Sequence, residues 1–159
     1  MASLAVSADD RLRALLEAAG LRYSGARKRV ASRLRAARRP MSAEDVRQSE
    51  PTIPSSSVYR TLAVLARAGA ARRLVGADGI ARFELAEAVS GEHHHYLVCT
   101  DCGAMDIILL PASAEDELTQ AARVVRQSGQ FAVDSCRVEL TGRCAACTAR
   151  QLPDAPSPP

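Results

Sequence analysis

The sequence predicts an α+β chain, in which an N-terminal winged helix-turn-helix is followed by a small α/β domain. Four amphipathic stretches of helical spacing precede a two-stranded hairpin pattern, and every cysteine and histidine lies in the second half. Residues 1–85 hold 16 basic and 8 acidic side chains, whereas residues 86–159 hold 5 basic and 10 acidic ones. That asymmetry of charge indicates two modules with different partners, and the Arg-rich module favours a polyanion such as nucleic acid.

The first three helices are predicted from apolar periodicity and from capping residues. Apolar side chains recur at i, i+3, i+4 and i+7 across residues 8–20, and Gly20 ends this helix. Ser24 can cap the second helix, which Pro40 stops. The segment Ser42 to Asp45 has the pattern of a capping box and begins a short third helix.

The fourth helix and the hairpin complete the winged helix-turn-helix. Three serines open this helix, which continues over residues 58–68 and ends at Gly69. Two short strands over residues 71–75 and 80–85 flank the turn-forming residues 76–79. Helices three and four would be the helix-turn-helix pair, and the turn between the strands would be the tip of the wing.

The second domain begins after a linker over residues 86–92. We expect two strands, a helix and a third strand in that order, over residues 95–98, 105–110, 114–128 and 131–140. Residues 151–159 follow as a tail, and four prolines among the last seven residues predict that it is disordered.

Several function classes are excluded at this point. No apolar run approaches the roughly 20 residues that cross a bilayer, and Met1 to Asp10 lack the basic start and apolar core of a secretory signal. We therefore expect a cytoplasmic protein without a membrane partner, in a reducing compartment that disfavours structural disulfides. The sequence has no nucleophilic triad, phosphate-binding glycine loop or catalytic zinc signature, so we expect neither an enzyme nor a small-molecule substrate.

Four of the five cysteines form two Cys-x-x-Cys pairs, Cys99 with Cys102 and Cys144 with Cys147. Two such pairs complete a tetrahedron around Zn(II) at about 2.3 Å from each sulfur, and Gly103 permits the tight turn after the first pair. The alternative is two redox dithiols or isolated buried cysteines, but the βαβ pattern that accompanies a redox pair is missing. We predict a structural zinc, because four thiolates leave no open position for chemistry.

All three histidines are adjacent and lie at the start of a predicted strand. His93 and His95 point to one face and could share an ion, while His94 points to the other and could serve another site. The candidates for completing the first site are Cys136 and an acidic residue from the start of the predicted helix, Glu115 or Glu117. Nitrogen, oxygen and sulfur ligands together suit Zn(II). Cys136 could equally be a small buried apolar residue of the third strand.

Five stretches of the sequence together resemble a known family. They are Gly20 to Ser24 with Arg27, Ser57 to Leu62, Arg82 to Leu85, His93 to Gly103, and Gly142 to Cys147. Over residues 8–150 the chain resembles the ferric uptake regulator family of bacterial metal-dependent transcription factors, which has zinc-, iron-, manganese-, nickel- and peroxide-sensing branches.

The resemblance implies a homodimer with a division of labour along the chain. Residues 1–85 would form the winged-helix DNA-binding domain, residues 86–92 the hinge, and residues 93–150 the metal-binding dimerisation domain. Metal at a sensory site would close the DNA-binding domains onto a double-stranded operator with an inverted repeat. The usual outcome in the family is repression of metal-uptake or stress genes.

The expected DNA contacts lie mainly at the start of the fourth helix, the part of a recognition helix that enters the major groove. By resemblance, Tyr59 and Arg60 contact bases and phosphates, and Arg22 reaches the minor groove. Ser56 and Ser57 suit phosphates. Further basic side chains expected to neutralise the DNA backbone are Arg27, Lys28, Arg29, Arg33, Arg72 and Arg73.

The resemblance also implies metal ligands. It assigns the two cysteine pairs to the family's structural zinc site. It implies a second site from His93, His95, Cys136, where the family usually has a histidine, and a glutamate, with Glu117 as first choice and Glu115 as second.

The sensory site at the hinge is less complete. Glu84 and His94 match two of its usual ligands, but Pro40 and Tyr96 stand where histidines are usual, and Ile107 replaces a carboxylate. A phenol, with a pKa of about 10, is a poor neutral ligand for Zn(II) or Fe(II). We therefore expect sensing either at the second site or at a depleted site of Glu84 and His94.

The ligand types at the second site favour zinc, because the thiolate of Cys136 is a soft ligand. The expected cofactors are a structural Zn(II) and a second, regulatory Zn(II) or Fe(II). Iron or peroxide sensing within the same family is an alternative. So is a zinc-binding interaction or storage protein that does not bind an operator.

Overall fold

The computed structural model describes residues 6–151, which form an α+β chain with two three-stranded sheets. The predicted fold class is therefore confirmed. Of the predicted disordered tail, only Gln151 is described, at the end of the last helix, and the rest of the tail lies outside the described residues. No helix in the described part is both long and apolar enough to cross a membrane.

The first half contains four helices and one sheet. Its elements are α1 Ala8–Ala18, α2 Gly25–Ala37, β1 Met41–Ser42, α3 Ala43–Ser49, α4 Ser55–Arg67, β2 Ala71–Val75 and β3 Ala81–Leu85. The capping predictions hold: the Ser24 side chain accepts from the backbone N–H of Arg27, and Ser42 and Asp45 form a reciprocal capping box. β1, which was not predicted, adds an antiparallel edge to β3 and gives the order β1-β3-β2.

The apolar periodicity of the helices forms one core in this half. Its most deeply buried side chains are Leu16, Val30, Val46, Val58, Leu62 and Leu65. Full burial of each large aliphatic side chain contributes about 1.5–3 kcal/mol. This core fixes the orientation of α4, because the residues on its buried face determine which residues point to solvent.

The second half contains the other three-stranded sheet. Its elements are α5 Glu87–Ser90, β4 His95–Cys99, β5 Met105–Ile108, α6 Ala112–Gln127, β6 Glu139–Gly142 and α7 Ala145–Gln151. β5 pairs antiparallel with β4, and β6 pairs parallel with the other edge of β4. The single-turn helix α5 lies within the predicted linker, and α7 was not predicted.

The predicted third strand over residues 131–140 is wrong for most of its length. β6 is only Glu139–Gly142, and residues 131–138 have no regular secondary structure. β6 pairs with β4 from Tyr96 to Cys99, and within residues 6–151 no strand pairs with the residues that precede β6. Cys136 therefore lies in an irregular segment and not within a strand.

The hairpin of β2 and β3 packs against the second half along its length. Leu74 of β2 contacts a small apolar cluster of Tyr96, Val98 and Met105. At the hairpin tip, a Cβ atom built on Gly103 would lie 2.2 Å from Cγ of Asp78. The tip of the wing is therefore seated on the turn that follows the first cysteine pair.

Helix α6 has no buried residue in the single chain, although it is 16 residues long. Val124 is 57% exposed, and Val125 is also exposed. Further exposed apolar side chains in the second half are Leu97, Phe131 and Leu140. A helix and a sheet that leave this much apolar surface uncovered form a surface suited to another protein chain.

Candidate metal and nucleic-acid sites

The structure brings the four cysteines of the two pairs together at the end of the second sheet. Their sulfur atoms all lie within 4.8 Å of one another, and Sγ of Cys102 is 3.8 Å from Sγ of Cys144. A regular tetrahedron with Zn–S bonds of about 2.3 Å places its sulfurs about 3.8 Å apart. The residues present therefore fit a tetrahedral zinc ion.

Local structure explains how residues so distant in sequence meet. Parallel pairing places Cys99 of β4 opposite Gly142 of β6, and the backbone N–H of Thr100 donates to the carbonyl of Gly142 at 2.8 Å. α7 begins directly after Cys144, so Cys147 lies one helical turn further on. Gly103 has a φ of +67°, which lets the chain turn sharply back into β5.

The environment of the thiols differs from one to the next. Backbone N–H groups of Cys102 and Cys144 point at Sγ of Cys99 and lower the pKa of that thiol to about 6. Burial raises the pKa of Cys147 to about 12. Cys99 is thus the thiol most ready to act as a thiolate, whereas a metal ion must displace the proton of Cys147.

A second candidate cluster consists of His93, His95 and Glu115, whose ligand atoms lie within 4.8 Å of one another. Nε2 of His95 is 2.8 Å from Oε1 of Glu115, and His95 is only 1% exposed. The N–H of Val138 donates to Nδ1 of His95 at 2.9 Å. With Nδ1 accepting, the ring proton lies on Nε2 and is donated to Glu115, so a metal ion at Nε2 would have to displace that proton and the Val138 bond.

The structure selects between the two glutamates considered for this site. Glu115 lies beside the histidines, and Glu117, the first choice from the sequence, is exposed and outside the cluster. Residues two apart on a helix point in nearly opposite directions, so only one of the pair can face His95. Glu117, the first choice, therefore lies outside the cluster that the structure forms, and Glu115, the second choice, lies within it.

Cys136 is not among the residues whose ligand atoms meet in this cluster, although it lies close by. Together with His93 and Glu115 it lines a cavity of about 390 Å³ between α6 and the irregular segment before β6. Glu87 lines this cavity as well, and its Oε2 lies 2.8 Å from Nδ1 of His93. Glu87 was not predicted as a site residue, because it lies in what was predicted to be a linker.

At the hinge, the carboxylate of Glu84 is in contact with polar side chains from both halves of the chain. The Tyr96 hydroxyl donates to Oε1 of Glu84, and Arg72 Nη1 donates to the Tyr96 oxygen at 3.0 Å. Nδ1 of His94 is 3.2 Å from the other oxygen of Glu84, while its Nε2 is 3.3 Å from Glu92. Burial, followed by the bond to Glu84, raises the pKa of Tyr96 to about 12.

Two further hinge positions named from the sequence offer no ligand. Pro40 is fully buried, and Ile107 presents an apolar side chain to a cavity of about 480 Å³ beside Glu84 and His94. Arg72, expected on the DNA backbone, instead contacts an internal carboxylate: its Nη1 lies 3.6 Å from Oε1 of Glu84.

The candidate DNA-binding face is the first part of α4. Tyr59 is 56% exposed, Ser56 and Arg60 are exposed, and Ser57 is partly exposed. Val58 and Leu62 point into the core on the opposite side. Tyr59 is therefore not a core aromatic, and its ring is available to a ligand.

The remaining basic residues divide into two groups. Arg22 is exposed before α2, as an arm to the minor groove requires. Arg29 and Arg33 both donate to Glu50, which is buried at the end of α3, and these bonds, that of Arg33 first, lower the pKa of Glu50. Part of the expected backbone-neutralising charge is thus used inside the domain, where it joins α2 to the turn before α4.

Comparison with known proteins gives consistent matches. The sequence profile described as the ferric uptake regulator family matches residues 18–141. The Ferric uptake regulation protein of Bacillus subtilis is 30% identical over 115 residues, which are 70% of this chain and 74% of that protein.

Solved structures of proteins from the same family also match this chain. The ferric uptake regulator of Pseudomonas aeruginosa with manganese is 31% identical, with a TM-score of 0.64 over 84% of this chain and 97% of that one. The Fur protein of Helicobacter pylori, described as having three functional metal binding sites, is 26% identical with a TM-score of 0.63, over 89% and 91% of the two chains.

Proposed function

Since the chain belongs to the ferric uptake regulator family and is a metal-responsive transcriptional regulator rather than an enzyme, we propose that it is a zinc-sensing repressor of metal homeostasis. The observation that carries the proposal is the cluster of His93, His95 and Glu115 in a cavity that Cys136 also lines. Two imidazoles and a carboxylate can hold either Zn(II) or Fe(II), and the thiol of Cys136, which would have to move toward the cluster to bind, favours Zn(II). We also propose that the protein acts in the cytoplasm, where it binds DNA.

The metals have separate roles in this proposal. Zinc at Cys99, Cys102, Cys144 and Cys147 is structural, because the four thiolates close its coordination shell. The regulatory ion binds at the histidine cluster, where a carboxylate and an irregular segment can rearrange around it. The alternative regulatory site at Glu84 and His94 is less favoured, because protein donors already engage the Glu84 carboxylate.

We propose that the functional unit is a homodimer held together through the second half. The uncovered faces of α6 and of Leu97 and Leu140 support this, because α6 buries none of its 16 residues within its own chain and leaves Val124 and Val125 exposed. Two copies related by a two-fold axis present two α4 helices, which suits an operator that is an inverted repeat.

DNA binding is assigned to the exposed start of α4. Arg60 can grip a guanine in a bidentate manner, Tyr59 can contact a thymine methyl or a phosphate, and Ser56 and Ser57 can donate to phosphates. Arg22 adds a minor-groove contact. Because these groups neutralise phosphates, affinity should fall steeply with salt.

The test is selection of DNA from a random duplex library by the chelator-treated protein after addition of Zn(II), Fe(II), Mn(II) or Ni(II). We expect enrichment of an inverted repeat at the lowest free concentration with Zn(II). We expect His93→Ala to abolish that response while four-cysteine zinc is retained. Enrichment with Fe(II) alone would overturn the zinc assignment. Failure to enrich any sequence under every metal would favour a zinc-binding interaction or storage protein instead.

A further inference from the structure

Glu84 lies between the two halves of the chain and is 4% exposed. It belongs to β3, and the Tyr96 hydroxyl that donates to it belongs to β4. Arg72 of β2 stands directly opposite Glu84 in the hairpin register, so its guanidinium reaches the same side. We call these three residues the Glu84 cluster.

The charges within the cluster are balanced without any ion. A buried carboxylate requires a positive partner or several donors. Arg72 supplies the positive charge at 3.6 Å from Oε1, and Tyr96 supplies a hydroxyl to the same oxygen. A divalent cation at this oxygen would lie beside the guanidinium and be repelled by it.

The second oxygen of Glu84 does not offer a converging site either. It faces Nδ1 of His94, whereas Nε2 of that ring faces Glu92. The imidazole thus stands between the two carboxylates, with one nitrogen toward each. Glu84, His94 and Glu92 therefore do not bring three ligand atoms around one point, and no group of three metal-ligating side chains in the described part of the chain includes Glu84.

The rest of the interface between the halves needs no metal at the hinge. Leu74, on the same face of β2 as Arg72, packs on the apolar cluster that includes Tyr96. Further along the hairpin, Asp78 is seated on Gly103. The Glu84 cluster is thus the polar end of a continuous contact along the hairpin.

We propose that Arg72 and Tyr96 hold Glu84 in place of a metal ion, so that the winged helix stays docked on the second half without metal at the hinge. The guanidinium acts as a permanent internal cation. Because of Arg72 and Tyr96, the protein does not sense metal at the hinge. The inference rests on the proposed function only in assigning the regulatory ion to the histidine cluster.

Two variants test docking, with a matched control. Tyr96→Phe removes one oxygen and keeps the ring on Val98 and Met105, and Arg72→Gln removes the charge. Arg73→Gln, on the next residue of β2, removes an exposed charge. We measure cleavage by a glutamyl endopeptidase at the hinge, with four-cysteine zinc retained and further metal chelated.

The expected result is a cleavage rate in Tyr96→Phe and Arg72→Gln raised by roughly tenfold or more, the size of effect when a buried charged group loses a hydrogen-bond partner. Arg73→Gln should be cleaved like the parent. Parent-like rates in both cluster variants would overturn the proposal. So would a parent whose cleavage slows about tenfold when Zn(II) is added, unless His93→Ala removes that effect.

Metal stoichiometry gives an independent measurement. We expect Glu84→Gln to bind as many zinc ions per chain as the parent at saturating Zn(II), and His93→Ala to bind one fewer. Loss of one ion in Glu84→Gln would overturn the proposal. A parent that binds no DNA with any metal would contradict the proposed function, while the cleavage and stoichiometry results would still decide whether the Glu84 cluster replaces an ion.

Discussion

Arg60→Ala tests the assignment of α4 as the DNA-reading helix. Arg60 is exposed in the second turn of α4, while Val58 and Leu62 are buried on the other face. Alanine is at least as good a helix former as arginine. The substitution should therefore leave thermal stability within about 0.5 kcal/mol of the parent, so any loss of binding reports on DNA contact.

The expected loss of affinity follows from the contact that this position allows. A bidentate contact between a guanidinium and a guanine contributes about 1–3 kcal/mol. That range corresponds to roughly a 5- to 150-fold rise in Kd. The loss should be accompanied by relaxed discrimination at one base pair of each half-site, because only that base pair loses its reader.

The assay is fluorescence anisotropy with a labelled inverted-repeat duplex in the presence of Zn(II). Arg67→Ala is the matched control, because Arg67 is exposed in the last turn of the same helix and carries the same charge. We expect Arg67→Ala to weaken binding only slightly and equally for all sequences. Equal losses in the two variants, or a Kd for Arg60→Ala within twofold of the parent, would refute the recognition-helix assignment.

Three further predictions concern stability and metal content. Cys144→Ser should lower the zinc content by one ion per chain and unfold the second half, as measured by mass spectrometry and circular dichroism, whereas Cys136→Ser should keep that ion. Gly103→Ala should destabilise by about 1–3 kcal/mol in thermal unfolding, because its φ is +67° and the new Cβ meets Asp78; an unchanged Tm would contradict the seating of the wing. Glu50→Gln should lower Tm most above the ordinary carboxyl pKa of 4.5, because Arg33 and Arg29 lower the pKa of Glu50 in the folded state. That difference should fade as the pH drops through the lowered pKa, and a constant difference across pH would contradict the pairing.

Local sequence signals predicted most of the first half. Capping serines, apolar periodicity and the turn residues of the hairpin act within a few residues of one another, so they can be recognised without knowledge of the fold. The two cysteine pairs could also be recognised locally, because the spacing within each pair already indicates two ligands of one metal ion. Their meeting depends on the parallel pairing of β4 and β6, which no local pattern indicates.

The predictions that proved wrong concern residues whose structure depends on contacts with distant parts of the chain. Residues 131–138 have apolar character, but β4 is too short to pair with them. The choice between Glu115 and Glu117 depended on the rotation of α6 about its axis, which a one-residue error in the helix start changes by about 100°. Arg72 looked like its neighbour Arg73 in sequence, and only the register opposite Glu84 turns one of them inward.

The four-cysteine site also acts on the topology of the chain. Its two pairs are separated by 41 residues that include all of α6. An ion held there is a covalent-like cross-link, and in the chain-entropy description closing a loop of this length removes about 4 kcal/mol of disorder from the unfolded state. α6 is the helix that has no buried residue within its own chain. Zinc occupancy and self-association should therefore rise and fall together, although the ion and the exposed face of α6 are separate features.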